Sequence, residues 1–220
     1  MSLAPRLFMS KERRYETDTW YLCLSENSQI YEDCVVKSLV HVKNFITSAA
    51  HETIHATIVN TSTGAHTRIM AERHTDYDWV TLGRWGSTYK YSTSKSTKGS
   101  RSKSECSATD RNRSLSLRSL YFPGDDFKVI HLAEILEHSS KMGGPYNPFT
   151  RNCYWFASSV YTKAKRDFSG VETLQPCHKW QGLPRFCFNL FEKKRDDAAR
   201  ALVEEIEWEM IHGPKSFPSP

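Results

Sequence analysis

From Cys153 onward the apolar positions recur with the period of a helix. Cys153, Phe156, Ala157, Val160, Tyr161 and Ala164 fall at i, i+3, i+4, i+7, i+8 and i+11, which is one face. Pro148 biases Asn147 toward an extended conformation and so sets the boundary of this helix. Asn152 suits the N-cap, because its side-chain oxygen can accept a first-turn N–H. Upstream the pattern shortens to the alternation of strands. Residues 53 to 59 are dense in β-branched side chains, 60 to 64 carry turn chemistry with Gly64 available for positive φ, and 66 to 73 return. A two-residue turn at Thr63–Gly64 sets His55 opposite Glu72, and a turn centred one residue earlier sets it opposite Met70. In either register His66, Arg68, Glu72 and His74 share the face of His55.

The remaining segments are read in the same way. Trp20–Leu24 and Trp79–Leu82 read as strands. Phe127–Leu132 reads as a strand running into a short helix that Gly143 and Gly144 stop. Residues 33 to 50 fit both periods in part. Residues 170 to 191 read as loop. Ala199, Leu202, Val203, Ile206 and Met210 form an apolar stripe in a helix over 193–211, which Pro214 ends. The expected organisation is a flexible arm over 1–17, one α+β domain over 18–212, and a tail over 213–220. A disordered, low-complexity insertion rich in Ser, Lys and Arg is expected at 92–119. The expected architecture is an antiparallel sheet packed on a helix that begins with Cys153.

Composition refines this picture. Hydrophobic residues make up 39% of the 220 and aromatics 12%, so the chain is globular. The net charge of +5 is local. Between Lys90 and Arg118 only Glu105 and Asp110 oppose the lysines and arginines. That concentration argues against a general nucleic-acid surface and fits an acidic partner for the insertion. The N-terminal stretch lacks the apolar run of a signal peptide, and no window approaches a membrane span. The six cysteines contain no CxxC pair. The expected setting is reducing, intracellular and cytoplasmic.

The chemistry centres on Cys153. A thiol at a helix start lies at the positive end of the helix dipole, which favours the thiolate. A thiolate nucleophile needs a base, and the base needs a partner to hold its ring. His55, on the hairpin, is the expected base. Glu72 is the expected orienting group, with His66 as its rival. Asn152 and the helix start supply the region for a developing oxyanion. No metal or other cofactor is expected.

These residues carry a resemblance. Asn152-Cys153-Tyr154-Trp155-Phe156-Ala157 resembles the Asn-Cys-x-x-Phe segment of the circularly permuted papain-like hydrolases, which include the NlpC/P60-like and lecithin:retinol acyltransferase-like proteins. In that group a histidine on a strand precedes the cysteine, and the cysteine opens a helix. The resemblance spans about residues 53–73 and 127–165. Trp155 stands where the acyltransferase branch carries a histidine. The resemblance implies a permuted papain-like fold and a cysteine-dependent hydrolase or acyltransferase. Such an enzyme acts on an amide, ester or thioester through a thioester intermediate. The acyl group would come from a peptide, a ubiquitin-like tail or a lipid.

Two other readings compete. His51-Glu52-Thr53-Ile54-His55 matches HExxH, the zinc metallopeptidase pattern, which needs a helix to bring both imidazoles to one ion. The β-branched residues around it favour a strand instead. Cys177, His178 and Cys187 form a weaker ligand set. The second alternative is a non-catalytic interaction module on the same scaffold.

Overall fold

The computed structural model describes residues 7–9, 11–44, 51–83, 114–175, 178–179 and 181–182. The chain divides after Gly182, inside the span 18–212, and every described residue belongs to the first unit. The tail at 213–220, the helix over 193–211, Cys177, Cys187 and most of the 92–119 segment lie outside the described residues.

Among the described residues the fold is α+β, a seven-stranded antiparallel sheet with three α-helices. In chain order the elements are β1 Arg13–Glu16, α1 Thr17–Glu26, β2 Cys34–Asn44, β3 His51–Asn60 and β4 His66–Arg73. Then come β5 Asp78–Leu82, β6 Ser114–Tyr121, α2 Val129–Gly143, α3 Cys153–Phe168 and β7 Val171–Leu174. The sheet order is β1-β5-β4-β3-β2-β6-β7. Strands β2 to β5 form a meander, and β2 is the branch point that also pairs with β6.

The hairpin takes the second of the two expected registers. His55 faces Met70, and Glu72 faces Thr53. Gly64, at φ +70, provides the left-handed residue, and its N–H bonds Asn60 O at 2.8 Å. Alternation puts Ile54, Ala56 and Ile58 into the core with Ile69, Ala71 and Val80. The helices close over this face. Helix α3 packs on β3, β4 and β2, and α2 lies against both α1 and α3. The α3 residues Phe156, Ala157, Val160, Tyr161 and Ala164 are all buried, as their spacing predicts.

Several expectations need correction. Trp20–Leu24 lies in α1 rather than a strand. Thr17, Trp20, Cys23 and Leu24 are its buried residues, a helical spacing that a window starting at Trp20 hides. Phe127–Leu132 is likewise not a strand. Helix α2 starts at Val129 and buries Val129, Leu132, Ala133, Ile135 and Leu136. At its start the Lys128 N–H donates to His131 Nδ1 at 3.3 Å. The arm expected at 1–17 includes β1, which pairs with β5 from Arg13–Leu82 to Glu16–Trp79. The expected insertion ends earlier than residue 119, because Ser114 onward is β6. There Leu117 and Leu120 are buried. Within the stretch expected as loop, Val171–Leu174 is strand β7. Of the ambiguous stretch 33–50, Cys34–Asn44 is β2, whose bulges fall between Val36 and Ser38 and between His41 and Val42, and 45–50 lie outside the described residues.

Phe156 is fully buried on α3, whereas Tyr154, two residues earlier, is exposed. Phe156→Ala is expected to cost about 3–5 kcal/mol of stability in urea denaturation, and Tyr154→Ala under about 1 kcal/mol. Equal costs would contradict this packing.

Candidate active site

Helix α3 begins at Cys153 because the preceding loop is tied at several points. Asn147 Oδ1 accepts the Phe149 N–H at 2.9 Å and the Thr150 N–H at 3.2 Å. Asn152 Nδ2 donates to Pro148 O at 2.8 Å, and Asn152 Oδ1 accepts the Trp155 N–H at 3.0 Å. The expected cap is therefore present. Trp155 packs against the core, with the Arg73 guanidinium 5.7 Å from its ring centre. Arg73 is itself held by Asp78 at 3.0 Å and by the Gly144 carbonyl. Lacking a side chain, Gly143 makes room for this arrangement, because a Cβ there would meet both Arg73 and Trp155.

The histidine hydrogen-bonded to the Cys153 thiol is His51, the first residue of β3. His51 Nε2 lies 3.1 Å from Glu72 Oε2. With Nε2 turned to Glu72, Nδ1 is the nitrogen that remains for the thiol. Glu72 also bonds His74, whose Nε2 lies 3.3 Å from Oε1. The result is a chain of contacts from Cys153 through His51 to Glu72. The Glu52 backbone N–H donates to the sulfur as well.

The electrostatics follow from these contacts. Burial works against ionisation of Cys153, yet the His51 hydrogen bond and charge pull its thiol below the ordinary value. Burial would lower His51, but the Cys153 and Glu72 partners raise it to about 9. Glu72 is buried, which alone would raise it. Its hydrogen bonds to His51 and His74 instead hold it down to about 2. All three shifts favour a thiolate, an imidazolium and a carboxylate in a row.

His55 is not the partner of Cys153. It is buried, its Nε2 lies 3.0 Å from Thr53 Oγ1, and burial and the Arg68 charge push it down to about 3. Four residues along a strand carry it about 13 Å from His51. The same distance removes the HExxH reading, because His51 and His55 cannot meet one ion from a strand. Glu52, the base of that motif, points instead into a buried cluster. It accepts from Lys43 Nζ at 2.6 Å, from His41 Nε2 at 2.8 Å and from the Gly182 N–H at 2.8 Å. Nor does His66 meet Glu72. It is exposed opposite Val59, six residues or about 20 Å along β4.

Of the residues expected from the sequence, Cys153 and Glu72 are brought together through His51 and Asn152 caps the helix, whereas His51 and His74 are not among those expected. The observed register sets Glu72 opposite Thr53, and continuing it outward places His51 and His74 beside the same carboxylate. Choosing that register, with β3 begun two residues earlier, would have pointed to His51.

A cavity of about 630 Å³ adjoins the site. Arg73, His74, Asp78, Lys141 and Tyr146 are among its lining residues. Burial and the Cys153 charge push the Tyr146 hydroxyl up. No helix among the described residues is long and apolar enough to cross a membrane. No family model matches the chain, and neither a curated protein nor a solved structure matches it.

The lowered thiol predicts alkylation of Cys153 beginning well below pH 8.5, the ordinary thiol range. His51→Ala removes the positive partner, so the thiol titrates upward and the low-pH reactivity is lost. His55→Ala leaves the profile in place. Residue-resolved mass spectrometry of alkylation between pH 5 and 10 reads all three.

Proposed function

We propose that the chain is a cysteine-dependent hydrolase or acyltransferase of the permuted papain-like kind, with Cys153 as nucleophile, His51 as base and acid, and Glu72 as the orienting group. The hydrogen-bonded chain Cys153–His51–Glu72 carries the reading. Its order along the sequence supports it too. A strand histidine comes first, a polar residue on the next strand second, and the cysteine at a helix start last, as in the resembling group.

In the first step the Cys153 thiolate attacks the carbonyl carbon of an amide, ester or thioester, and a C–S bond forms. The negative charge moves to the carbonyl oxygen. First-turn N–H groups of a helix lack intrahelical acceptors, and those of α3 that the Asn152 cap does not use are the donors proposed for the developing oxyanion. The intermediate collapses by expelling an amine, alcohol or thiol, which takes its proton from the His51 imidazolium. The acyl group is then a thioester on Cys153. His51, now neutral, removes a proton from water or from an acceptor. That nucleophile attacks the thioester, and the thiolate leaves. Throughout, Glu72 holds His51 Nε2–H and offsets the charge the ring acquires.

The substrate is an acyl compound or peptide. A panel of activated acyl esters and peptide or ubiquitin-like thioester probes tests the reading. The expected result is an acyl adduct on Cys153 by mass spectrometry. Cys153→Ala abolishes the adduct, and His51→Ala slows acylation by about 10²–10⁴-fold. Turnover that survives Cys153→Ala would remove the mechanism.

A further inference from the structure

We propose that His51, Glu72 and His74 together form a binding site for a divalent transition-metal ion, with zinc as the best match, beside the thiol and without it as a ligand. The donor atoms are already gathered. His51 Nε2 lies 3.1 Å from one Glu72 oxygen and His74 Nε2 lies 3.3 Å from the other. One ligand atom from each residue falls within 4.8 Å of the other two. A tetrahedral zinc with bonds of about 2.0–2.1 Å holds its ligand atoms roughly 3.4 Å apart. Each imidazole is already near that spacing from one Glu72 oxygen, and the full set needs only a small contraction from within 4.8 Å. Two imidazoles and a carboxylate are a donor set of catalytic and regulatory zinc sites, whereas calcium and magnesium need several more oxygens.

The fold supplies the rigidity that such a site needs. His51 and Glu72 belong to neighbouring strands of the meander. His74 directly follows β4, where its backbone N–H bonds Tyr77 O at 3.1 Å. Its side chain is half exposed and lines the cavity, so an ion could reach it from solvent. Cys153 is not one of the three clustered donors. These ligands differ from those of HExxH, which pairs His51 with a residue the strand carries away.

The ion and the thiol chemistry share His51. A metal on Nε2 displaces the proton that Glu72 holds. Nδ1 then keeps its own proton and has no lone pair for the thiol. Metal binding would therefore disable the base, a consequence that rests on the proposed function. The site itself does not.

Zinc and cobalt titrations of the full chain, read by calorimetry and visible absorption, test this without any substrate. The expected result is one ion with a dissociation constant of about 1 μM or tighter. His74→Ala, at a half-exposed position, weakens it by about tenfold or more. Cys153→Ala binds zinc as the wild type does, and the cobalt complex lacks a thiolate charge-transfer band. Absence of saturable binding overturns the site. So does unchanged affinity in His74→Ala, or a thiolate band lost on Cys153→Ala. Zinc binding in a protein that never acylates leaves this site standing and sinks only the thiol reading.

Discussion

The register of β3 against β4 is the constraint on which the rest of the site depends. Side chains alternate along a strand, so a shift of one residue exchanges the two faces. In the observed register Ile54, Ala56 and Ile58 meet Ile69 and Ala71 under the helices. The same register puts Glu72 across from Thr53 and His51 one step beyond, where the strand end meets the start of α3. Hydrophobic burial thus selects the pairing, and the pairing gathers the polar groups. Burial of the β3 and β4 core side chains, at about 1.5–3 kcal/mol each, outweighs the smaller preferences of any one polar contact.

Beneath the sulfur lies a second set of charges. Lys43 and Glu52 are both almost fully buried and paired at 2.6 Å. Such pairs add little net stability, but removing one partner costs about 3–5 kcal/mol. Burial pushes His41 down, and the contacts that His41 and Lys43 make with Glu52 hold that carboxyl below its ordinary value against its own burial. The His41 tautomer is set from both sides, since Nε2 donates to Glu52 and Nδ1 accepts from Arg118 Nε at 3.3 Å. This network fixes the Glu52 side chain. It thereby steadies the backbone whose N–H points at Cys153. It also ties in Gly182 from the far end of the described chain.

Much of this was legible in the sequence, where one element spoke for itself. The α3 stripe and the Asn152 cap are local signals, and both appear as expected. So do the hairpin and the stop at Gly144. The errors arise where tertiary packing overrides a short apolar run. Trp20–Leu24 looks like a strand until Thr17 is included, and Phe127–Leu132 looks like one until Ile135 and Leu136 continue the helical spacing from Val129. His55 sits inside the β-branched run, whereas His51 marks its edge. Only the register separates the two, and composition does not fix the register. The Glu52 cluster was invisible for a similar reason. Its members come from β2, β3 and a residue 130 positions downstream in sequence.

The most direct test of the account is ¹⁵N NMR of the His51 imidazole across pH, in the wild type and in Cys153→Ala. The account expects both ring nitrogens protonated at neutral pH, with deprotonation near pH 9. Loss of the thiolate in Cys153→Ala removes one of the two anionic partners, so the transition moves to lower pH. A His51 that titrates near the ordinary imidazole value of about 6.5, and ignores the removal of Cys153, would contradict the thiolate–imidazolium pair.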